Sequence, residues 1–575
     1  MNSYVFNANN LKVEIDLSSQ ILRVEAEQDP HGYENAFAFE DDFDFDPSDS
    51  MSSFLLGDST PRPFRSLVDA VQSETTVPLM VFAHKAKCFN DWLYSTLDFA
   101  AFVGDCPAVG KQDFVRCLRD QLDGLENNLN VQSLLYAAEH LGSGESITHL
   151  PGKLRLLTKK HLKVFEQNPI LSLPLGFYSR SEALQQLFRH DRLLQRPLEP
   201  QEAEALASAI TQAQLSYSYD WHLRASSRLT GKHAMLSVTD PLIDEITECA
   251  LFPPSKAPET ELVKKLFGGR PLPKDCSLLD TLLTFVQEQK ISLKPDADDG
   301  WYIRELYALE ALLKPEKERL LIGERYSKSL EQLFKGLMSL SRESHIKQLE
   351  LPTAVGAPFE GLCINIHPRL RLEPIPDYYQ RMANNYMWML EQLRDLWGES
   401  FLHQSLSNSQ EPSMSVGDAL LEMHTLFLGA YYLCLEDLGL SLPEPLDTEI
   451  QFAMMIARKF ISTWRQDPDI STDSRMMVPL YYDHERKMTR ISVVCGYLNR
   501  NVDVEFAHKP NIHVTNFQGQ EVQPKIIWNR SSFKTVYPMQ FECDVVKLLD
   551  RESFRAIADQ YPNPDDLRVA LENLS

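Results

Sequence analysis

Val416-Gly-Asp-Ala-Leu-Leu-Glu-Met-His-Thr-Leu-Phe-Leu-Gly-Ala-Tyr-Tyr-Leu-Cys-Leu-Glu-Asp-Leu438 is apolar around nearly its whole circumference when wound as a helix. Such a helix has no face for water, so it belongs at the centre of a helical body. Its polar exceptions Glu422, Thr425, Gly429 and Glu436 fall in one narrow stripe, because seven residues nearly complete two turns. His424 lies on the opposite side, which disfavours a compact Glu-x-His metal site.

The same period extends outward in both directions. Downstream, Asp447 is placed to cap a helix carrying Ile450, Met454, Ala457, Phe460, Ile461 and Trp464. Upstream, Tyr378, Met382, Tyr386, Met389, Leu393 and Leu396 mark a helix over about 378–397. Residues 316–350 read as one long helix striped by Leu330, Phe334, Leu337, Ser341, His345 and Leu349. Ser179-Arg-Ser-Glu182 matches a capping box, and Pro200 opens an alanine-rich helix over 201–213. From about Pro63 to Trp464 the chain is therefore expected to be helical, with linkers at 253–274 and 292–300.

Beyond Asp467 the period changes to two. Met476–Tyr482 and Met488–Leu498 read as a hairpin, with Thr489, Ile491, Val493, Cys495 and Tyr497 on one face. Val502–Phe506, Ile512–Val514, Ile526–Trp528 and Phe533–Tyr537 read as further short strands. Asn563-Pro564 signals a closing helix. At the other end, residues 11–26 read as a hairpin. Residues 24–61 hold eleven acids and no Lys or Arg, punctuated by Phe37, Phe39, Phe43 and Phe45.

The expected fold class is mainly α, a helical body with a C-terminal α+β module of short antiparallel strands and an acidic, partly disordered N-terminal arm. The expected divisions are 1–62 (hairpin and arm), 63–253 (helical), 254–466 (helical core with a polar pocket) and 467–575 (strand-rich, ending in a helix). The scarcity of glycine, 23 in 575 residues, agrees with helices.

Composition excludes some functions. A net charge of −24 opposes general binding to nucleic acid or an anionic membrane, although it leaves room for a local basic patch. No apolar run reaches the ~18 residues of a membrane span. Nine dispersed cysteines, none in Cys-x-x-Cys, fit neither a disulfide framework nor a zinc site and point to a reducing, cytoplasmic setting.

Motif tests are negative. Asp42-x-Asp44-x-Asp46 lacks the glycine and glutamate of a calcium loop. Gly231-Lys232 lacks the rest of a phosphate loop, and His484-Glu485 lacks the second zinc histidine. Ser344-His-Ile-Lys347 matches Ser-x-x-Lys without its partner motifs. No cofactor or metal is expected.

One segment carries concentrated polarity: His367-Pro-Arg-Leu-Arg-Leu-Glu-Pro-Ile-Pro-Asp-Tyr-Tyr-Gln-Arg381. If 366–373 is extended, His367, Arg369, Arg371 and Glu373 share a face, and Asp377 can cap the following helix. Arg369 and Arg371 with Tyr378, Tyr379 and Arg381 then suit an anion near a helix N-terminus. The competing reading pairs these arginines with the chain's own acids. His345 continues an apolar stripe, so it is either a core histidine or a general base. Glu422 and Glu436 are acid–base candidates if they face a pocket.

Two functions follow. The absence of a nucleophile or cofactor motif favours a protein-interaction or scaffold protein, with the arm phenylalanines 37, 39, 43 and 45 docking a partner. The alternative is an enzyme or small-molecule binder whose anion pocket is built from residues 342–381 and 422–436.

Overall fold

The computed structural model describes residues 62–71, 76–123, 128–240, 248–257, 277–313, 324–345, 347, 370–404, 414–438, 440, 442, 443, 445–483, 485–506 and 531–574. It also gives the strand backbones at 3–8, 11–16, 21–25, 37–38, 320–322, 367–368, 511–515 and 521–522. Apart from the strand backbone at 24–25 and 37–38, the acidic arm falls outside these residues. So do Arg369, Ile526–Trp528 and most of the 253–274 linker.

The N-terminal strands β1 (Ser3–Ala8), β2 (Leu11–Asp16) and β3 (Ile21–Glu25) form an antiparallel meander, with Asp16 opposite Ile21 as a hairpin over 11–26 requires. The helical body follows. Its first half comprises α1 (Leu79–Val103), α2 (Lys111–Leu122), α3 (Leu129–Ser143), α4 (Gly152–Glu166), α5 (Glu182–Leu194), α6 (Pro200–Gln212) and α7 (Ser216–Thr230). Its second half comprises α8 (Leu278–Gln287), α9 (Trp301–Glu310), α10 (Glu324–His345), α11 (Pro376–Leu396), α12 (Val416–Asp437) and α13 (Thr448–Thr463), with the short strand β4 (Leu320–Ile322) before α10. The C-terminal part holds β5 (Met476–Asp483), β6 (Met488–Phe506), β7 (Asn511–Thr515), β8 (Ser531–Val545), α14 (Arg551–Gln560) and α15 (Pro564–Glu572). Helical body and antiparallel C-terminal sheet are thus as the sequence implies.

The apolar helix α12 is central. Ser415 and Asp418 close a capping box at its start, and it packs between α11 and α13. Leu420, Phe427, Ala430 and Leu433 are buried. Its polar stripe works at Gly429, where an added Cβ would clash with the Ala453 carbonyl oxygen of α13. Only glycine permits that crossing.

Several boundaries differ from the sequence reading. The expected helix over 316–350 is a strand, β4, followed by α10, because residues 320–322 pair with the end of β6. Ser181, not Ser179, caps α5, since a 3₁₀ turn over Gly176–Arg180 delays the helix start. Asp377 lies inside the first turn of α11, whose cap position is Ile375. Asp447 and Asn563 cap α13 and α15 as expected.

The strand over 488–498 does not end there. It runs through Asn499–Asn501 into 502–506 as the single strand β6, paired with β8 along its length and with β5 and β4 on its other edge. Its residues also do not keep one face. Ile491 and Val493 pack under α14 and α15, whereas Tyr497 enters the central core. A bulge between Val494 and Tyr497, with Gly496 at φ +138°, reverses the side-chain alternation. β7 pairs in parallel with β3, so the N-terminal meander and a strand of the C-terminal part share a sheet.

The central core draws residues from Leu67 through Tyr537. A second core is built by α2, α3, α6 and α7 around Phe114, Leu134, Leu206 and Tyr219.

Candidate functional site

α1 carries five residues at alternating three- and four-residue spacing: His84, Lys87, Asp91, Tyr94 and Asp98. All are buried. A stripe of ionisable groups inside a core must find partners, because an unpaired buried charge is too costly. Two clusters supply them.

The first surrounds Lys87 and Asp91. Lys87 Nζ lies 2.7 Å from Asp91 Oδ1 and 2.8 Å from Glu343 Oε2. Arg551, at the start of α14, donates to Glu343 at 2.9 Å. Arg180 and the Ser344 hydroxyl donate to Asp91 at 3.1 and 2.7 Å. Burial pushes the Glu343 carboxyl up, but Arg551 and Lys87 outweigh it and hold the group down at about 2. The second cluster lies deeper. Lys347 donates to Asp98 at 2.5 Å and to Asp191 at 2.8 Å, and Lys111 reaches Asp191 at 2.5 Å. Ser344 and Lys347, the Ser-x-x-Lys pair, therefore serve separate ion clusters.

The first cluster opens onto a cleft of about 1260 Å³. The cleft lies where the helical body meets the C-terminal part. Its apolar lining includes Phe89, Trp92 and Phe99 of α1 together with Phe401, Met414, Val416 and Met423. The polar end is formed by Lys85, Arg180, Arg551 and Arg555, with Asp91, Asp469 and Asp473 between them. Lys85 pairs with Asp467 at 2.9 Å and Asp469 at 2.6 Å, and Arg555 with Asp473 at 3.5 Å. Cations and anions therefore alternate at this end.

Two groups beside the cleft resemble catalytic residues but are held quiescent. His84 sits among Thr472 Oγ1 at 2.8 Å, the Asp469 carbonyl at 3.1 Å and Tyr497 Oη at 3.0 Å. Ser474 donates to Tyr497, leaving the tyrosine proton for His84 Nδ1 and the Nε2 proton for Asp469 and Thr472. Burial, then Lys87, lowers His84 to about 4, so the ring is neutral. Burial, then Asp469, pushes the Cys88 thiol up to about 11, so it is no thiolate nucleophile at neutral pH.

The residues singled out from sequence lie elsewhere. Arg371 donates its backbone N–H and Nε to Asp437 at 2.7 Å each, and Nη2 to Glu436 at 2.5 Å. Those two acids outweigh burial and keep its guanidinium charged. Arg381 bonds the Tyr307 carbonyl at 2.6 Å and stacks 3.9 Å over that ring. Tyr378 and Tyr379 are buried, and Tyr379 donates to the Glu373 carbonyl at 3.0 Å. Arg371, Tyr379 and Arg381 thus do not assemble the expected anion clamp, because the chain's own acids and carbonyls take their donors, and Tyr378 lies buried in the core. Glu373 does not share the face of Arg371. It is fully buried and accepts from the Leu79 N–H and the Thr535 hydroxyl at 2.8 Å each.

His345 sits in an aromatic cage, its ring 4.9 Å from Tyr94, 5.2 Å from Tyr302 and 5.5 Å from Trp301. It does not line the cleft. Glu436 is engaged by Arg371 and Arg458. Glu422 is exposed at the cleft margin. The cleft residues on α1, at 180–184 and at 551–555 were missed by sequence reading. The available signal was the ionisable stripe on α1.

Among the described residues no group of three or more His, Cys, Asp or Glu is disposed to hold a metal ion, and no helix is long and apolar enough to cross a membrane. Comparisons with family models, curated proteins and solved structures gave no match.

Proposed function

We propose that this is a cytoplasmic small-molecule-binding protein whose ligand occupies the cleft beside α1. The observation that carries the reading is a cleft whose lining joins aromatic and aliphatic side chains with ionisable groups that are already paired. An apolar wall with a few convergent polar groups is the usual make-up of a ligand site. The ligand it suits has an apolar body and a head group that both donates and accepts hydrogen bonds. A simple anion is disfavoured, since each cation at the polar end already faces a carboxylate. Binding is favoured over catalysis because His84 is buried and neutral and Cys88 stays protonated. The free cysteines support the reducing compartment.

Titration with anilinonaphthalene sulfonate, an amphipathic fluorophore, tests the assignment. We expect saturable one-to-one binding to the intact chain. Ala183→Trp, placed on the exposed margin of the cleft, should weaken it at least about tenfold, roughly 1.4 kcal/mol, without moving the melting temperature. Absence of saturable binding, or binding that Ala183→Trp leaves intact, contradicts the reading.

A further inference from the structure

The acidic chain carries one helix of opposite character. α4 buries Leu154, Thr158, Leu162 and Phe165 against its neighbours. Its opposite face exposes Lys153, Arg155, Lys159, Lys160 and Lys163, with Glu166 the only acid in the helix. None of the four lysines forms an ion pair among the described residues. Leu156 and Val164 stand within this basic face, 71% and 61% exposed. They are eight residues apart, about 12 Å along the axis, with Lys160 between them. Five cations with no ion-pair partner among the described residues, Arg155 donating only to the Thr148 carbonyl, form a localised positive field in a chain of net charge −24.

We propose that the outward face of α4 docks the protein on an anionic lipid surface. Charge complementarity and shape together select this partner. None of the residues of α4 lines the cleft beside α1, so among the described residues that cleft offers this face no groove for an extended acidic peptide. Four of the five cations are lysines, compact hydrated charges suited to diffuse lipid head groups rather than bidentate recognition of one phosphate. Leu156 and Val164 provide shallow apolar contacts among those cations. Repulsion between the membrane and the acidic remainder orients the molecule with α4 inward.

Co-flotation of the intact chain with vesicles tests the proposal. Vesicles containing about 30% phosphatidylserine in phosphatidylcholine should carry the protein, pure phosphatidylcholine vesicles should not, and raised salt should release it. The triple variant Lys159→Glu, Lys160→Glu, Lys163→Glu should lose at least about tenfold in partitioning while melting like the wild type. Leu156→Ser with Val164→Ser should weaken binding without abolishing its salt dependence. Lack of flotation with anionic vesicles, equal flotation with neutral ones, or full retention by the triple variant overturns it. Binding to polyglutamate or duplex DNA with no vesicle binding overturns it as well.

Discussion

Two buried glutamates show how one residue type is driven in opposite directions by its surroundings. Glu343 has two cations against it and is held at about 2. A carboxyl depressed in the fold stabilises it fully above its ordinary value of 4.5, and that contribution is lost as pH falls toward about 2. Glu343→Gln leaves Lys87 and Arg551 short of a counter-charge. It should destabilise the protein by about 3 kcal/mol at neutral pH, a difference that denaturant unfolding should see shrink in acid.

Glu373 has only neutral donors, and burial pushes it up to about 7. A raised carboxyl stabilises the fold only while protonated, so its contribution is complete below 4.5 and lost as pH rises through about 7. Between pH 4.5 and 8, unfolding free energies should shift in favour of Glu373→Gln over the wild type by about 3 kcal/mol. A pH-independent difference would place the ionisation elsewhere.

At the scale of elements, the crossing of α12 and α13 depends on the absence of a side chain at Gly429. Gly429→Ala should cost about 2 kcal/mol or more, because the obstacle is backbone and cannot swing aside. Thermal unfolding measures it, with half-buried Thr425→Ala on the same helix as the milder comparison.

This level was also the most legible in sequence. Apolar period, the Asp447 and Asn563 caps and the 476–498 hairpin depend on neighbours a few residues away. The errors arose where a distant segment decided the outcome. Residues 320–322 look helical until β6 claims them, and the bulge at Gly496 moves Tyr497 across the sheet.

At the scale of the whole molecule, the site is assembled from residues far apart in the chain. Lys87 finds Glu343 256 residues away, and Glu343 finds Arg551 208 residues further. No local pattern names such partners. The segment 367–381 drew notice for its charge, yet Arg371 and Arg381 are satisfied internally. Inspection of α1 alone would have flagged buried ionisable groups at helical spacing, though not the cleft they border.

The cleft joins α1, the start of α5, the approach to α12, the turn before β5 and the first turn of α14. A ligand there must touch segments from both the helical body and the C-terminal part. Hydrogen exchange of the intact chain, with and without saturating anilinonaphthalene sulfonate, tests this most directly. We expect added protection at 401–404, 414–423, 469–476 and 551–555 together. Protection confined to other surfaces, or absent while the fluorophore is bound, would contradict it.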